Sequence, residues 1–196
     1  MPVPDLRKRL QDALSLQGSA SSDFDLNADV KIPERDLTPA AVLIGIRAET
    51  ETVILTKRSA RLKHHPGQIA FPGGKQDPTD ATLTDAALRE AHEEIGLPSG
   101  MVDVLGHLPP HQTVTGYQVT PVLACVHGHY ETVPEAGEVS EVFEVPLAHL
   151  LETRNYSVEG RRWQGRRRLY YTVPFGPYYI WGATARILRA FAERMA

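Results

Sequence analysis

The spacing of apolar positions changes several times along the chain, and each change marks an element. Leu6, Leu10 and Leu14 recur at helical spacing and predict a helix from Leu6 to Leu16, followed by a small, polar linker from Gly18 to Asp25. The runs AAVLIGIR (Ala40 to Arg47) and TVILTKR (Thr52 to Arg58) predict two strands joined by the polar turn Ala48 to Glu51. Further strands are expected at VDVLGHL (Val102 to Leu108), QVTPVLACV (Gln118 to Val126) and EVFEV (Glu141 to Val145). Arg161 to Trp163 and Arg167 to Val173 suggest a hairpin turning at Gln164-Gly165. A last helix, from about Ala183 to Met195, carries Ile187, Leu188 and Phe191 on one side. No internal repeat or low-complexity tract interrupts this order.

Between the first strands and the later ones lies FPGGKQDPTDATLTDAALREAHEEIGL, Phe71 to Leu97. Asp77 as N-cap, Pro78 at the first helical position and Asp80 in the first turn predict a helix start, and Gly96-Leu97-Pro98 predicts its stop. Leu83, Ala87, Ala91 and Ile95 make one apolar stripe for packing. At about 100° per residue, Glu90, Glu93 and Glu94 fan over an arc of roughly 100° beside that stripe and converge on one patch.

An acidic helix face by itself is ordinary, because a like-charge i,i+4 pair costs only about 0.2–0.5 kcal/mol in water. The glycine pair before the helix changes the picture. Gly73 and Gly74 let the backbone approach closely and direct a carbonyl toward a cation held by the carboxylates, and hard divalent ions take oxygen ligands and share them with phosphates.

On these residues the segment resembles the Nudix box, the signature G-x5-E-x7-R-E-U-x-E-E-x-G-U of the Nudix hydrolase superfamily, with U a bulky aliphatic. Gly74, Arg89, Glu90, Glu93, Glu94, Gly96 and Leu97 fall on its positions. Asp80 stands in place of the first Glu, one residue further from Arg89, and Ala91 replaces an aliphatic. Upstream, ILTKRSARLKHHPGQIAFPGG (Ile54 to Gly74) is similar to LLTxRSxxxRxxxGxxxFPGG, the signature of the coenzyme A diphosphatase branch, with Ile54 for Leu and Lys63 for Arg. The longer spacing in GGKQDPTDAT, and the segments LPPHQTVTGYQVTPV (Leu108 to Val122) and YYIWGATARIL (Tyr178 to Leu188), fit the same branch.

The resemblance implies an α/β fold of the Nudix type, an α/β/α sandwich with a mixed β-sheet and a catalytic helix following the Gly-rich loop. Residues 38–196 would form the hydrolase domain and 1–37 an N-terminal helix and linker, within a single domain overall. It implies Mg²⁺ or Mn²⁺ held by Glu90, Glu94, Glu93 and the Gly74 carbonyl, with Glu90 and Glu94 on the main ion. Arg89 would brace a carboxylate, pointing away from the glutamate arc. Substrate contacts are implied at Arg58, Lys63, Gln68, Gly73, Gly116 and Tyr117. The general base is open between a box glutamate and an acid of the loop EAGEVSEVFEV, where Glu138 and Glu141 are candidates. The implied reaction splits the diphosphate of coenzyme A or its thioesters. Another nucleoside diphosphate derivative, such as ADP-ribose, NADH or a dinucleotide, is the alternative, and a ligand sensor without turnover is a third. Homodimers are implied by resemblance alone.

Composition narrows this further. With 196 residues and 42% hydrophobic content, one core is expected rather than two domains. A net charge of −3 argues against bulk electrostatic binding to nucleic acid. The lone Cys125 sits in an apolar run and is expected to be a buried strand residue. No apolar stretch suits a signal peptide or membrane span, so a cytoplasmic enzyme without membrane contact is expected.

Several polar and aromatic features admit two readings. The basic run RRWQGRRR either neutralises the extra 3′-phosphate of coenzyme A or faces water or a partner. Trp163, Tyr170, Tyr178, Tyr179 and Trp181 either stack an adenine or fill a core. His64 and His65 either contact phosphate or lie exposed in their loop, and Thr115-Gly116-Tyr117 reads as a tight turn.

Overall fold

The computed structural model describes residues 5–32, 34–163 and 165–196, and for Trp163 the backbone alone. The expected turn residue Gln164 lies outside the described residues. In chain order the elements are α1 (Leu6–Ser15), β1 (Ser21–Ser22), β2 (Thr38–Arg47), β3 (Thr52–Arg58), β4 (Ile69–Ala70), β5 (Gly73–Lys75) and α2 (Leu83–Ile95). There follow β6 (Val102–His107), β7 (His111–Gln112), β8 (Tyr117–Val126), β9 (Val139–Pro146), α3 (Leu147–Leu151), β10 (Ser157–Trp163), β11 (Arg166–Thr172) and α4 (Gly182–Met195).

Most strands, α1 and α4 fall where the periodicity placed them, within a residue or two, but β10 begins at Ser157, four residues before the expected Arg161, because Ser157 to Gly160 carry no apolar alternation. The short strands β4, β5 and β7 and the one-turn α3 were not anticipated, because two or three residues carry no period.

The sheet is mixed. β2 runs parallel to β8, from Thr38 opposite Tyr117 to Arg47 opposite Val126, while β3, β5 and β6 make antiparallel pairs with their neighbours. β9 continues the sheet beyond β3, and β10 and β11 stand apart as a separate hairpin. Side chains alternate across the two faces. On β2 and β8, Ala41, Leu43, Val122, Ala124 and Val126 pack with Ala87, Ala91 and Ile95 of α2. Their neighbours Ala40, Ile44, Ile46, Leu123 and Cys125 face the opposite way, into a core with Leu6 and Leu10 of α1 and Ile187, Leu188 and Phe191 of α4. The result is three layers, helix, sheet and helices, as expected for an α/β/α sandwich. Each fully buried aliphatic side chain in these cores contributes about 1.5–3 kcal/mol.

The segment read as a plain linker is built into the sheet instead. β1 pairs in parallel with β7, and the fully buried His111 joins Ser21 Oγ at 2.9 Å and Asp23 Oδ1 at 3.1 Å through its two ring nitrogens. Asp23 Oδ2 also accepts the Val114 N–H at 2.8 Å. Serine and aspartate here supply hydrogen-bond partners to a buried imidazole, a long-range match that composition does not reveal.

Candidate active site

Helix α2 begins five residues later than the caps predicted. Thr82 is the N-cap, its hydroxyl accepting from the Asp85 N–H at 3.1 Å while the Asp85 carboxylate accepts from the Thr82 N–H at 2.9 Å, a reciprocal capping box. Pro78 to Asp80 instead form a turn, closed by the Asp80 N–H to the Asp77 carbonyl at 2.9 Å. The reason lies outside the segment: Asp80 is drawn to Arg89, whose Nε and Nη2 donate to its two oxygens at 3.0 and 2.9 Å. Gly96 ends the helix as expected, at φ +70° with its N–H capping the Ala91 and His92 carbonyls.

The two glycines have separate jobs. Gly73 has φ +154°, and a Cβ there would lie 2.4 Å from the Ala41 carbonyl oxygen and 2.6 Å from Val42 Cα. Only glycine lets β5 lie this close to β2, and that approach directs the Gly73 N–H to Glu94 Oε2 at 3.1 Å. At Gly74 a Cβ would sit 2.4 Å from Glu90 Oε1, so the missing side chain is the space the Glu90 carboxylate fills.

The glutamates of α2 therefore differ in surroundings. Glu94 is 4% exposed, and burial pushes its carboxyl up to about 7 against the opposing pull of the Gly73 N–H, with Glu90 nearby adding to the rise. Burial also raises Glu90, opposed by Arg89. Glu93 is exposed and receives Arg89 Nη1 at 2.9 Å. The same Nη1 donates to Glu90 Oε1 at 3.0 Å, and Nη2 reaches the Lys75 carbonyl at 3.3 Å. Arg89 thus does not point away from the arc, as the helical wheel suggested; its long side chain folds back between the carboxylates. It braces three of them, and its hydrogen bonds hold Asp80 below the usual carboxylate range.

These groups line an open cavity of about 530 Å³, with Arg58, Gly73, Gly74, Asp77, Arg89, Glu90, Glu93, Glu94, Glu135 and Glu138 in its wall. Glu135 and Glu138 come from the loop before β9. Its backbone is tied to the end of α2 by the Val133 N–H to Ile95 and the Glu135 N–H to Glu94 carbonyls, and to β3 by the Ser59 N–H to the Glu138 carbonyl at 2.7 Å. Glu135 Oε2 accepts the N–H groups of Gly137 and Glu138 at 2.8 and 2.7 Å, which fixes the turn that presents Glu138. Glu135 was not singled out in the sequence; its signal is the glycine two residues on, in a Glu-x-Gly-Glu turn.

The other expected contacts divide. Arg58 and Gly73 line the cavity; Lys63, Gln68, Gly116, Tyr117 and Glu141 are not in its wall. Glu141 lies on β9 opposite Lys57 and accepts a hydrogen bond from the Tyr178 hydroxyl. Gly116 and Tyr117 form the expected tight turn, with the Gly116 N–H bonded to the Thr113 carbonyl at 3.2 Å. His64 and His65 are exposed, and Cys125 is buried in β8 as expected.

Six carboxylates face two guanidinium groups in this wall, and two of the six are pushed upward by burial. Such a donor set, hard oxygens short of positive charge, fits a hard divalent cation. Among the described residues no three His, Cys, Asp or Glu side chains meet closely enough to grip one ion. Glu90, Glu93 and Glu94 do share one patch of the cavity wall, as their arc on the helix implied, each already engaged within the chain: Arg89 takes Glu90 and Glu93 while the Gly73 N–H takes Glu94.

Comparison with known proteins bears on family and fold. Residues 36–166 match the model of the NUDIX domain family. The chain is 44% identical over 156 residues to a protein named uncharacterized Nudix hydrolase NudL from Enterobacter sp. (strain 638), covering 78% of this chain and 80% of that one. It is 43% identical over 185 residues to the protein of the same name from Pectobacterium atrosepticum, covering 90% and 95%. In fold it is similar to the crystal structure of a MutT protein from Methanosarcina mazei Go1, with a TM-score of 0.52 at 20% identity over 84% of this chain and 96% of that one. Among the described residues no helix is long and apolar enough to cross a membrane.

Proposed function

The chain belongs to the Nudix hydrolase family, and from that premise we propose that it cleaves the diphosphate linkage of coenzyme A or its thioesters, giving adenosine 3′,5′-bisphosphate and 4′-phosphopantetheine or its acyl form. The observation that carries the chemistry is Glu94, buried at the floor of an acid-walled open cavity, bonded to the Gly73 N–H and held near neutrality. A carboxyl that costs this much to ionise is poised for a cation or for a proton.

Glu90, Glu93 and Glu94 would hold Mg²⁺ or Mn²⁺, with the Gly74 carbonyl as a further donor. When bound, the ion neutralises diphosphate oxygens and lowers the pKa of a coordinated water. The chain's residues do the rest. Arg89, fixed by Asp80, holds Glu90 and Glu93 in place, so the carboxylates meet a ligand without first being ordered. Arg58 supplies positive charge in the same wall for phosphate oxygens. Glu138, presented by the turn that Glu135 holds, lines the cavity from a loop outside α2 and is the group best placed to take a proton from water. Glu141 is the second candidate, engaged with Tyr178 outside the wall.

The coenzyme A assignment rests on the Ile54 to Gly74 segment, whose last residues form β5 and whose Arg58 lines the cavity. The test is product analysis after incubation with Mg²⁺ or Mn²⁺ and coenzyme A, ADP-ribose or NADH in turn. Adenosine 3′,5′-bisphosphate arising mainly from coenzyme A supports the reading. AMP from ADP-ribose or NADH with coenzyme A untouched overturns the substrate and keeps the hydrolase.

A further inference from the structure

The separate hairpin of β10 and β11 carries five arginines in a chain whose net charge is −3. Arg161 lies opposite Arg168 and Arg162 opposite Arg167, so like charges face each other directly across the ladder, a destabilising arrangement for a two-stranded sheet. The hairpin is nonetheless firmly seated. The buried Asn27 amide pairs with the Leu169 backbone in both directions, at 2.9 and 3.0 Å, and Thr172 bonds the Ile180 carbonyl at 3.0 Å. An unfavourable charge pattern on a rigid mount calls for an anionic occupant.

One face of the hairpin pairs charge with aromatic surface. Residues opposite or two apart share a face, which places Arg161, Arg166, Arg168 and Tyr170 together, with Glu159 opposite Tyr170 at the end of the face away from Arg166. The Arg161 guanidinium lies 5.3 Å from the Trp181 ring centre, Tyr170 meets Trp181 edge-on at 5.1 Å, and its hydroxyl is 3.3 Å from that of Tyr179, which is 45% exposed. This cluster adjoins the cavity. Gly182, next to Trp181, packs beside Gln68, whose carbonyl accepts the N–H of the cavity residue Arg58 at 2.9 Å.

We propose that this face is the subsite for the far end of the substrate, an aromatic base on Tyr179 and Trp181 and a phosphate monoester beyond the diphosphate on Arg161 and Arg166. The subsite deepens the coenzyme A reading and rests on it for the identity of the ligand. Its chemistry discriminates: a nucleotide with a phosphate on the ribose gains the arginine contacts, and one without it does not. The opposite face, with Arg162 and Arg167, has no such aromatic partner among the contacts described.

The test is calorimetric titration of the whole protein with adenosine 3′,5′-bisphosphate and with AMP, beside kcat/KM for coenzyme A and 3′-dephospho-coenzyme A. The protein is expected to bind the bisphosphate roughly tenfold or more tighter than AMP. Arg161→Ala with Arg166→Ala removes that preference and moves the kcat/KM ratio toward one, whereas Arg162→Ala with Arg167→Ala keeps both; a thermal melt of each checks folding, and Arg166→Ala alone reads the same ratio if a pair misfolds. No preference in the unaltered protein, its survival without Arg161 and Arg166, or its equal loss in both double variants, the mark of a general polyanion surface, each overturns the subsite. A bisphosphate preference that depends on Arg161 and Arg166 without cleavage of coenzyme A keeps the subsite and sinks the proposed reaction; cleavage without the preference does the reverse.

Discussion

Arg89 and Asp80 are joined at two points, Nε and Nη2 each donating to one carboxylate oxygen at 3.0 and 2.9 Å, across a turn that the helix itself does not include. The remaining Nη1 is thereby aimed at Glu90 and Glu93. A planar guanidinium can serve all three acids at once, and a lysine ammonium cannot reproduce that fork.

Breaking this brace should act on activity through the glutamates it orients. Asp80→Ala or Arg89→Lys is expected to lower kcat/KM roughly 10–100-fold, the cost typical of removing an outer partner of a metal ligand. Steady-state kinetics with a Mg²⁺ titration checks it; unchanged kinetics in both variants would show that the brace is dispensable.

Glu94 links stability to pH with a definite sign. Its carboxyl is raised to about 7 in the fold from an ordinary 4.5, so the folded chain binds the proton more tightly than the unfolded one. Without metal, stability should fall as pH rises from about 4.5 through 7, by an amount on the order of 3 kcal/mol at most. Melting curves in chelator between pH 5 and 8 measure this. Added Mg²⁺ or Mn²⁺ should restore stability mainly at the upper end, and a flat profile would refute the buried charge.

Glu94→Gln separates chemistry from binding. The variant should melt higher than the parent in chelator at pH 8, because the buried charge is gone, while losing turnover and keeping nucleotide binding. Equal turnover in parent and variant would remove the catalytic reading and favour a sensor.

Gly73→Ala should destabilise by about 1–3 kcal/mol or more, since alanine must adopt φ +154° with its Cβ 2.4 Å from the Ala41 carbonyl oxygen. The urea midpoint reads the loss, and turnover should drop with it as the Gly73 N–H leaves Glu94. Wild-type stability would contradict the close pairing of β5 with β2.

Glu138 and Glu141 can be told apart by kcat. Glu138→Gln is expected to lower kcat by roughly 10²–10⁴, the contribution typical of a positioned proton acceptor. Glu141→Gln should have the smaller effect, because its partner is the Tyr178 hydroxyl and it does not line the cavity. The reverse order would transfer the role to Glu141.

By itself the sequence determined the elements whose signals are local. The apolar stripe of α2, the strands β2 and β8 and the Gly96 stop were legible because period and capping act within a few residues, whereas the three-layer class came from the family resemblance. The box residues were legible for the same reason, being close in sequence. What only the tertiary structure decided is where long side chains and distant loops end up. Asp80 left the helix's first turn for a guanidinium nine positions on, Arg89 folded back into the carboxylates, and Ser21 and Asp23 left an apparent linker to satisfy His111. Glu138 rather than Glu141 reached the cavity wall because hydrogen bonds from Glu135 and Ser59 set that turn. Each choice depends on partners brought together by folding, and a buried polar group takes its partner wherever the fold supplies one.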